Sequence, residues 1–177
     1  MQLNRTTLEL LMEIDNLEQL SQWVADLITS KTPLYLGIDG LPESGKTKLS
    51  DSLGYQFHSN VIHLDAFLNQ NTGVFFDSLK FDEISKVLSS TKCDVIILEG
   101  ICLLKVIRHL KIGLDKNIYV KRYSHHGYWE DETRVESDEP IAIQPDLPGA
   151  ADREALIYHR EFDPIENADL IYIRRES

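Results

Sequence analysis

The sequence predicts an α/β fold of three layers, a parallel sheet between two sets of helices, and three observations predict it. Short apolar runs alternate with helical periodicity from residue 34 to residue 120. The first run passes directly into the loop Gly40-Leu41-Pro42-Glu43-Ser44-Gly45-Lys46-Thr47, and a helical pattern (Leu49, Leu53, Phe57) passes out of it. Acids, Asp65 and Glu99, stand at the ends of two later runs. Strands buried on both faces read as continuous apolar runs, and the helices that join parallel strands supply the covering layers.

Residues 5–30 read as helical, with Leu17, Leu20, Val24, Leu27 and Ile28 on one face and Trp23 beside them. Asp15 followed by Glu18 resembles a capping box, dividing the segment into two helices that meet near Asn16, and Pro33 closes it. The apolar face is expected to pack on the sheet. Strands are expected at 34–38, 61–64, 94–98, 117–120 and 170–173, with helices at 46–55, 81–89 and 101–110 between the first four. Residues 121–150 fit no periodic pattern and hold Pro140, Pro145, Pro148 and Gly149, so they are expected to form an excursion or lid. The 177 residues make one domain, residues 1–177, with a helical segment over 1–33 leading into it.

Composition narrows the function classes. An apolar fraction of 42% and a charged fraction of 27% are those of an ordinary soluble protein. No run approaches the roughly 18 apolar residues of a membrane span, and the start lacks a basic flank followed by an apolar run. Cys93 and Cys102 lie in or beside apolar runs and read as reduced, buried thiols, so a cytoplasmic protein without membrane contact is expected. A net charge of -11 argues against a nucleic-acid partner. It does not argue against one nucleotide, whose phosphates need only local N–H groups, a lysine and a metal ion. The basic stretch from Lys105 to Arg122 and the acidic one from Glu130 to Glu139 read as solvated surface.

The loop at 40–47 is a full G-x-x-x-x-G-K-[ST], the P-loop pattern, set between strand and helix as its chemistry requires. Glycines let the backbone curl so that successive N–H groups face a phosphate, and the helix N-terminus adds partial positive charge. Gly40, Glu43, Ser44, Gly45, Lys46, Thr47 and Lys48 are therefore expected to hold ATP, with Lys46 on the β- and γ-phosphates and the Thr47 hydroxyl on Mg²⁺. Glu43 is odd: an acid in a loop that wraps phosphates is expected to point outward, toward the acceptor or the lid.

Glu99 ends the apolar run 94–98, where open α/β sheets bind ligands, and is the expected second acid for Mg²⁺. Asp65 leaves the sheet on the same edge and is placed to accept a proton from an attacking hydroxyl, with a helix or turn cap as its plain alternative. His63 reads as a packed histidine. His125 and His126, with no third ligand nearby, read as exposed lid residues. Thr91-Lys92-Cys93-Asp94 looks like a guanine-reading element but precedes the wrong strand, so adenine is the expected base.

Together these residues resemble the uridine kinase and phosphoribulokinase-like P-loop kinases. The resemblance rests on Ile38-Asp39-Gly40, His63-Leu64-Asp65-Ala66-Phe67, Phe76-Asp77, Phe81-Asp82, Ile97-Leu98-Glu99-Gly100-Ile101, and the closing pieces Tyr158, Asp163-Pro164 and Ala168-Asp169-Leu170-Ile171. It covers about residues 34–120 and 155–173. It implies a nucleoside or nucleotide kinase-like P-loop NTPase fold with five parallel strands ordered 2-3-1-4-5. It implies Asp65 as general base, Glu99 acting with Mg²⁺, and Asp65, Phe67 and Asp82 near the acceptor, Asp82 being equally placed to cap its helix. The sequence departs from the family in its lid, where only Lys121, Arg122 and Arg134 are available; Arg122 is the best catalytic candidate, with Arg153 and Arg160 behind it. The reading is an ATP-dependent kinase for a hydroxyl of a nucleoside (uridine-like) or sugar-like small molecule, free of nucleic acid and open to homodimer formation. Its rival is an ATP-binding switch or slow ATPase that engages a protein partner through residues 121–150.

Overall fold

A computed structural model of the chain describes residues 11–69, 74–137 and 149–175. Six strands, all paired in parallel, form one sheet: β1 (Met12–Ile14), β2 (Leu34–Asp39), β3 (Asn60–His63), β4 (Val95–Glu99), β5 (Lys116–Tyr123) and β6 (Leu170–Arg175). Their spatial order is β1-β6-β5-β2-β4-β3. The expected sheet of five strands in order 2-3-1-4-5 is thereby corrected. The segments read as strands lie where expected relative to one another, and β1 adds a sixth beyond β6.

That sixth strand comes from the segment read as helix. Residues 12–14 pair with Leu170, Ile171 and Tyr172, and only α1 (Leu17–Ser30) of the N-terminal region is helical; residues 5–10 lie outside the described residues. The cap is Asn16, not Asp15: its side chain accepts from the backbone N–H of Glu18 and Gln19, satisfying donors that no intrahelical carbonyl reaches. Pairing with a strand over 150 residues away in the chain overrides helical periodicity in so short a stretch.

Alternation along the strands divides the core. Leu34, Leu36 and Ile38 of β2, Val95 and Ile97 of β4, and Ile118 and Val120 of β5 pack with α1 and with α2 (Lys46–Phe57) through Leu20, Val24, Leu49 and Leu53. Ile96 and Leu98 turn the other way, onto α3 (Phe81–Ser90), α4 (Leu103–Leu110) and Tyr158 of α6 (Ala150–Phe162). Residues on one strand point alternately to opposite faces, so one apolar run serves both helix layers. Gly37 admits α4 to this second face: a Cβ there would lie 2.9 Å from Leu103 Cδ2 and 2.5 Å from Leu114 Cδ1.

Residues 121–137 are more ordered than their sequence reads. β5 runs on to Tyr123, a turn returns the chain so that Trp129 bridges Tyr123, and α5 (Glu132–Glu136) follows. Residues 138–148 of the expected lid lie outside the described residues. No helix among the described residues is long and apolar enough to cross a membrane.

Candidate active site

The strands β2, β3 and β4 all end at one edge, and the loop after β2 lies in the crevice there. Gly40 (φ 149°) starts the turn; a Cβ there would sit 2.8 Å from the Val120 carbonyl and 2.9 Å from Ser44 Oγ. Gly45 (φ 96°) caps α2 in the left-handed region, which only glycine adopts freely. Inside the loop Lys46 is buried, and Nζ donates to the Leu41 carbonyl at 2.7 Å. Burial lowers its pKa, while the charges of Glu99, Asp39 and Asp65 hold it up. Ser44 Oγ is buried with no hydrogen-bond partner among the described residues. A curled backbone, a buried ammonium and an orphaned hydroxyl fit a phosphate, which would supply the missing acceptor.

Asp39 lies beneath the loop and is fully buried. Burial pushes its carboxyl up to about 6, against the hydrogen bonds from Tyr158 and the Gly40 N–H and the charge of Lys46. Tyr158 donates to Oδ2 of Asp39, the Gly40 N–H donates to Oδ1 at 2.7 Å, and the Leu104 N–H donates to the Tyr158 hydroxyl at 3.1 Å. The chain of bonds ties α6 and the start of α4 to the first glycine of the loop.

Toward β4 and β3 the crevice is acidic. Glu99, the last residue of β4, is 3% exposed and pairs in register with His63 at the end of β3. Thr47 Oγ1 donates to Glu99 Oε1 at 3.4 Å, His63 Nδ1 lies 2.8 Å from Glu99 Oε2, and His63 Nε2 lies 3.2 Å from Asp51 Oδ1. Burial lowers the basicity of His63, but the bond to Glu99 and the charges of Glu99, Asp51 and Asp65 outweigh it and raise the pKa. Asp65 is exposed on the single 3₁₀ turn Leu64–Phe67 that follows β3. The Thr47 hydroxyl and the Glu99 carboxylate converge as hard oxygen donors, a set that suits Mg²⁺ completed by phosphate oxygens and water. Among the described residues no group of three His, Cys, Asp or Glu side chains holds a metal by itself.

Toward β5 and β6 the crevice carries charges of both signs. Arg122 forms ion pairs with Glu130, its Nε 2.7 Å from Oε2, and with Glu43, its Nη1 3.6 Å from Oε2; Nε is buried and makes no hydrogen bond among the described residues. Arg174 of β6 donates to the Glu43 carbonyl at 3.2 Å and lies flat on Gly45, where a Cβ would come within 2.5 Å of its Cδ. A cleft of about 320 Å³ opens here between Pro42, Glu43, Arg122, Asp131 and Arg134.

No family profile matches the sequence, and no curated protein matches it either. Solved structures do. One described as a possible uridine kinase from Bacillus stearothermophilus superposes with a TM-score of 0.57 at 18% identity, over 88% of this chain and 98% of that one. A crystal structure provisionally described as a fructose transport system kinase, from Silicibacter sp. TM1040, gives 0.50 at 18% identity, over 89% and 98%. The chain shares the α/β fold of these structures.

Within this fold the residues expected at the site fall into two groups. Gly40, Ser44, Gly45, Lys46, Thr47, Glu99 and Asp65 gather at the ends of β2, β3 and β4. Glu43 points outward, its side chain 85% exposed, and meets Arg122. Lys48 is exposed on α2, and Phe67 is half-buried against the core. Asp82 is exposed in the first turn of α3, whose N-cap is Lys80, so the capping role considered for Asp82 is not seen. Arg134 pairs with Asp131, Arg160 donates to the Ser137 carbonyl, and Arg153 is exposed. The rings of His125 and His126 meet at 3.8 Å, tilted by 42°, on the exposed turn after β5. Thr91-Lys92-Cys93-Asp94 precedes β4 at the far edge of the sheet, away from the loop.

Sequence reasoning missed three site residues. His63 reads as packing but joins Glu99 to Asp51; its signal was its position as the last residue of a strand, two before Asp65. Asp39 ends β2 and carries the same signal as Glu99. Arg174 had none, because its approach to Gly45 depends on β6 lying two strands from β2.

Proposed function

We propose that this chain is an ATP-dependent kinase that transfers the γ-phosphoryl group to a hydroxyl of a small nucleoside-like or sugar-like molecule. The observation that carries the reading is the convergence of Lys46, the unpartnered Ser44 hydroxyl and the Thr47–Glu99 contact at one crevice, with Asp65 at its acceptor side. The loop N–H groups and Lys46 bind and orient the phosphates. Thr47 and Glu99 would hold Mg²⁺, which supplies neutralisation of the charge that develops on the phosphoryl oxygens. Asp65 accepts the acceptor's proton, and Arg122 offsets charge from the β5 side. Residues 121–150 serve as the lid that excludes water. The choice of acceptor follows the two similar structures, one described as a possible uridine kinase and the other provisionally as a fructose transport system kinase.

The test is ADP formation from Mg-ATP by purified protein, with and without a panel of nucleosides, sugars and other alcohols. One acceptor should stimulate turnover, and Asp65→Asn should lower that stimulated rate by about 10²–10⁴-fold while leaving ATP binding intact. Slow turnover that no acceptor stimulates, together with tight ATP binding, would transfer the reading to a nucleotide-dependent switch.

A further inference from the structure

The acid inside the phosphate loop takes no part in the chemistry above, yet it is held from both ends. Glu43 stands at φ 61°, a conformation that side chains disfavour, between Pro42 and the buried Ser44. Its carbonyl accepts from Arg174 at 3.2 Å, and its carboxylate meets Arg122 Nη1 at 3.6 Å. Arg122 is in turn tied to the turn after β5: Nε pairs with the Glu130 carboxylate at 2.7 Å, and the Glu130 N–H donates to the Arg122 carbonyl at 3.1 Å. The guanidinium thus spans the gap from that turn to the rim of the phosphate loop. It is held between two carboxylates by charge, with donors left over for a further anion.

We propose that Glu43 is a positioning residue that draws Arg122 to the rim of the phosphate loop, where the guanidinium serves the terminal phosphate of a bound nucleoside triphosphate. Without Glu43, Arg122 answers to Glu130 and Asp131, both of the turn after β5, and retreats toward them. Simple charge arithmetic gives the opposite sign. A carboxylate beside a triphosphate repels it, so neutralising Glu43 should tighten triphosphate binding if the residue did nothing else. The sign of one measured ratio therefore separates the two accounts. The inference rests on the nucleotide reading of the loop but not on the transfer reaction.

The experiment is calorimetric titration of the full chain with Mg-ADP and with the Mg complex of a non-hydrolysable β,γ-imido ATP analogue. Wild type, Glu43→Gln, Glu43→Asp, Arg122→Gln and the Glu43→Gln/Arg122→Gln double variant are compared. Wild type should prefer the triphosphate. Glu43→Gln and Arg122→Gln should each lower that preference by about fivefold, and the double variant should fall no further than Arg122→Gln. Glu43→Asp keeps the charge but shortens the reach, and should behave like Glu43→Gln. A higher triphosphate preference in Glu43→Gln, or losses that multiply in the double variant, would overturn the proposal while nucleotide binding stands. If wild type binds neither nucleotide, this proposal and the kinase reading fall together.

Discussion

The two flanks of the phosphate loop are built differently. On the β4–β3 side Glu99 is 3% exposed, and the hydroxyl of Thr47 and the ring of His63 hold its two oxygens. On the β5–β6 side the charged groups are at the rim: Glu43 is 85% exposed and stands 3.6 Å from Arg122. A buried, bonded carboxylate is fixed before any ligand arrives, because leaving it unpaired would cost far more than the pairing gains. An exposed ion pair at that distance contributes only about 0–1 kcal/mol, so it is readily exchanged for a phosphate. One flank is set in advance, and the other is adjustable, suited to a charge that comes and goes.

Breaking the acidic flank at its centre should have the largest effect. Glu99→Gln removes the carboxylate that converges with Thr47, and should lower Mg²⁺-dependent turnover by about 10²–10³-fold, followed as ADP formation against Mg²⁺ concentration. An unchanged Mg²⁺ profile would take Glu99 out of the cation site. His63→Asn frees one oxygen of Glu99 without touching the loop, and should weaken Mg²⁺ by about tenfold, read from the Mg²⁺ dependence of ADP affinity. Equal Mg²⁺ affinities would mean that Thr47 alone orients the carboxylate.

The smallest effect sharpens the comparison from below the loop. Asp39 has a carboxyl pushed up to about 6 from an ordinary 3.8. The folded protein therefore holds a proton that the unfolded chain has lost between those values, so the stability due to this group falls as pH rises from about 4 to 6 and is flat above. Asp39→Asn does not titrate. The melting temperature of wild type minus that of Asp39→Asn should fall across that window and then level off. A difference that is constant with pH would show that Asp39 is ionised throughout.

Much of this molecule is legible in one dimension, for reasons that are local. The loop at 40–47 carries its own glycines, lysine and hydroxyl, and strand and helix flank it at once, so its placement needs no distant residue. The runs that became β2, β4 and β5 are buried on both faces and so are apolar without interruption. Glu99 is legible because a charge at the end of such a run has no packing role. The helix α6 was not read as such: its N-terminal flank holds Pro148 and Gly149, and its buried polar residues Glu154 and His159 interrupt the apolar stripe. Both are explained only by distant partners, Glu154 accepting from the Phe75 and Phe76 N–H groups and His159 bonding the Tyr119 hydroxyl.

By itself, then, the sequence determined the three-layer α/β class, the phosphate loop and the strand-end acids, since each depends on neighbours within a few residues. Tertiary structure alone decided that residues 12–14 become a strand, that His63 joins Glu99, and that Arg122 and Arg174 close on Glu43 from two other strands. Those contacts join positions from 36 to 131 and more residues apart in the chain. Only the order of the strands in the sheet brings them within reach of one another.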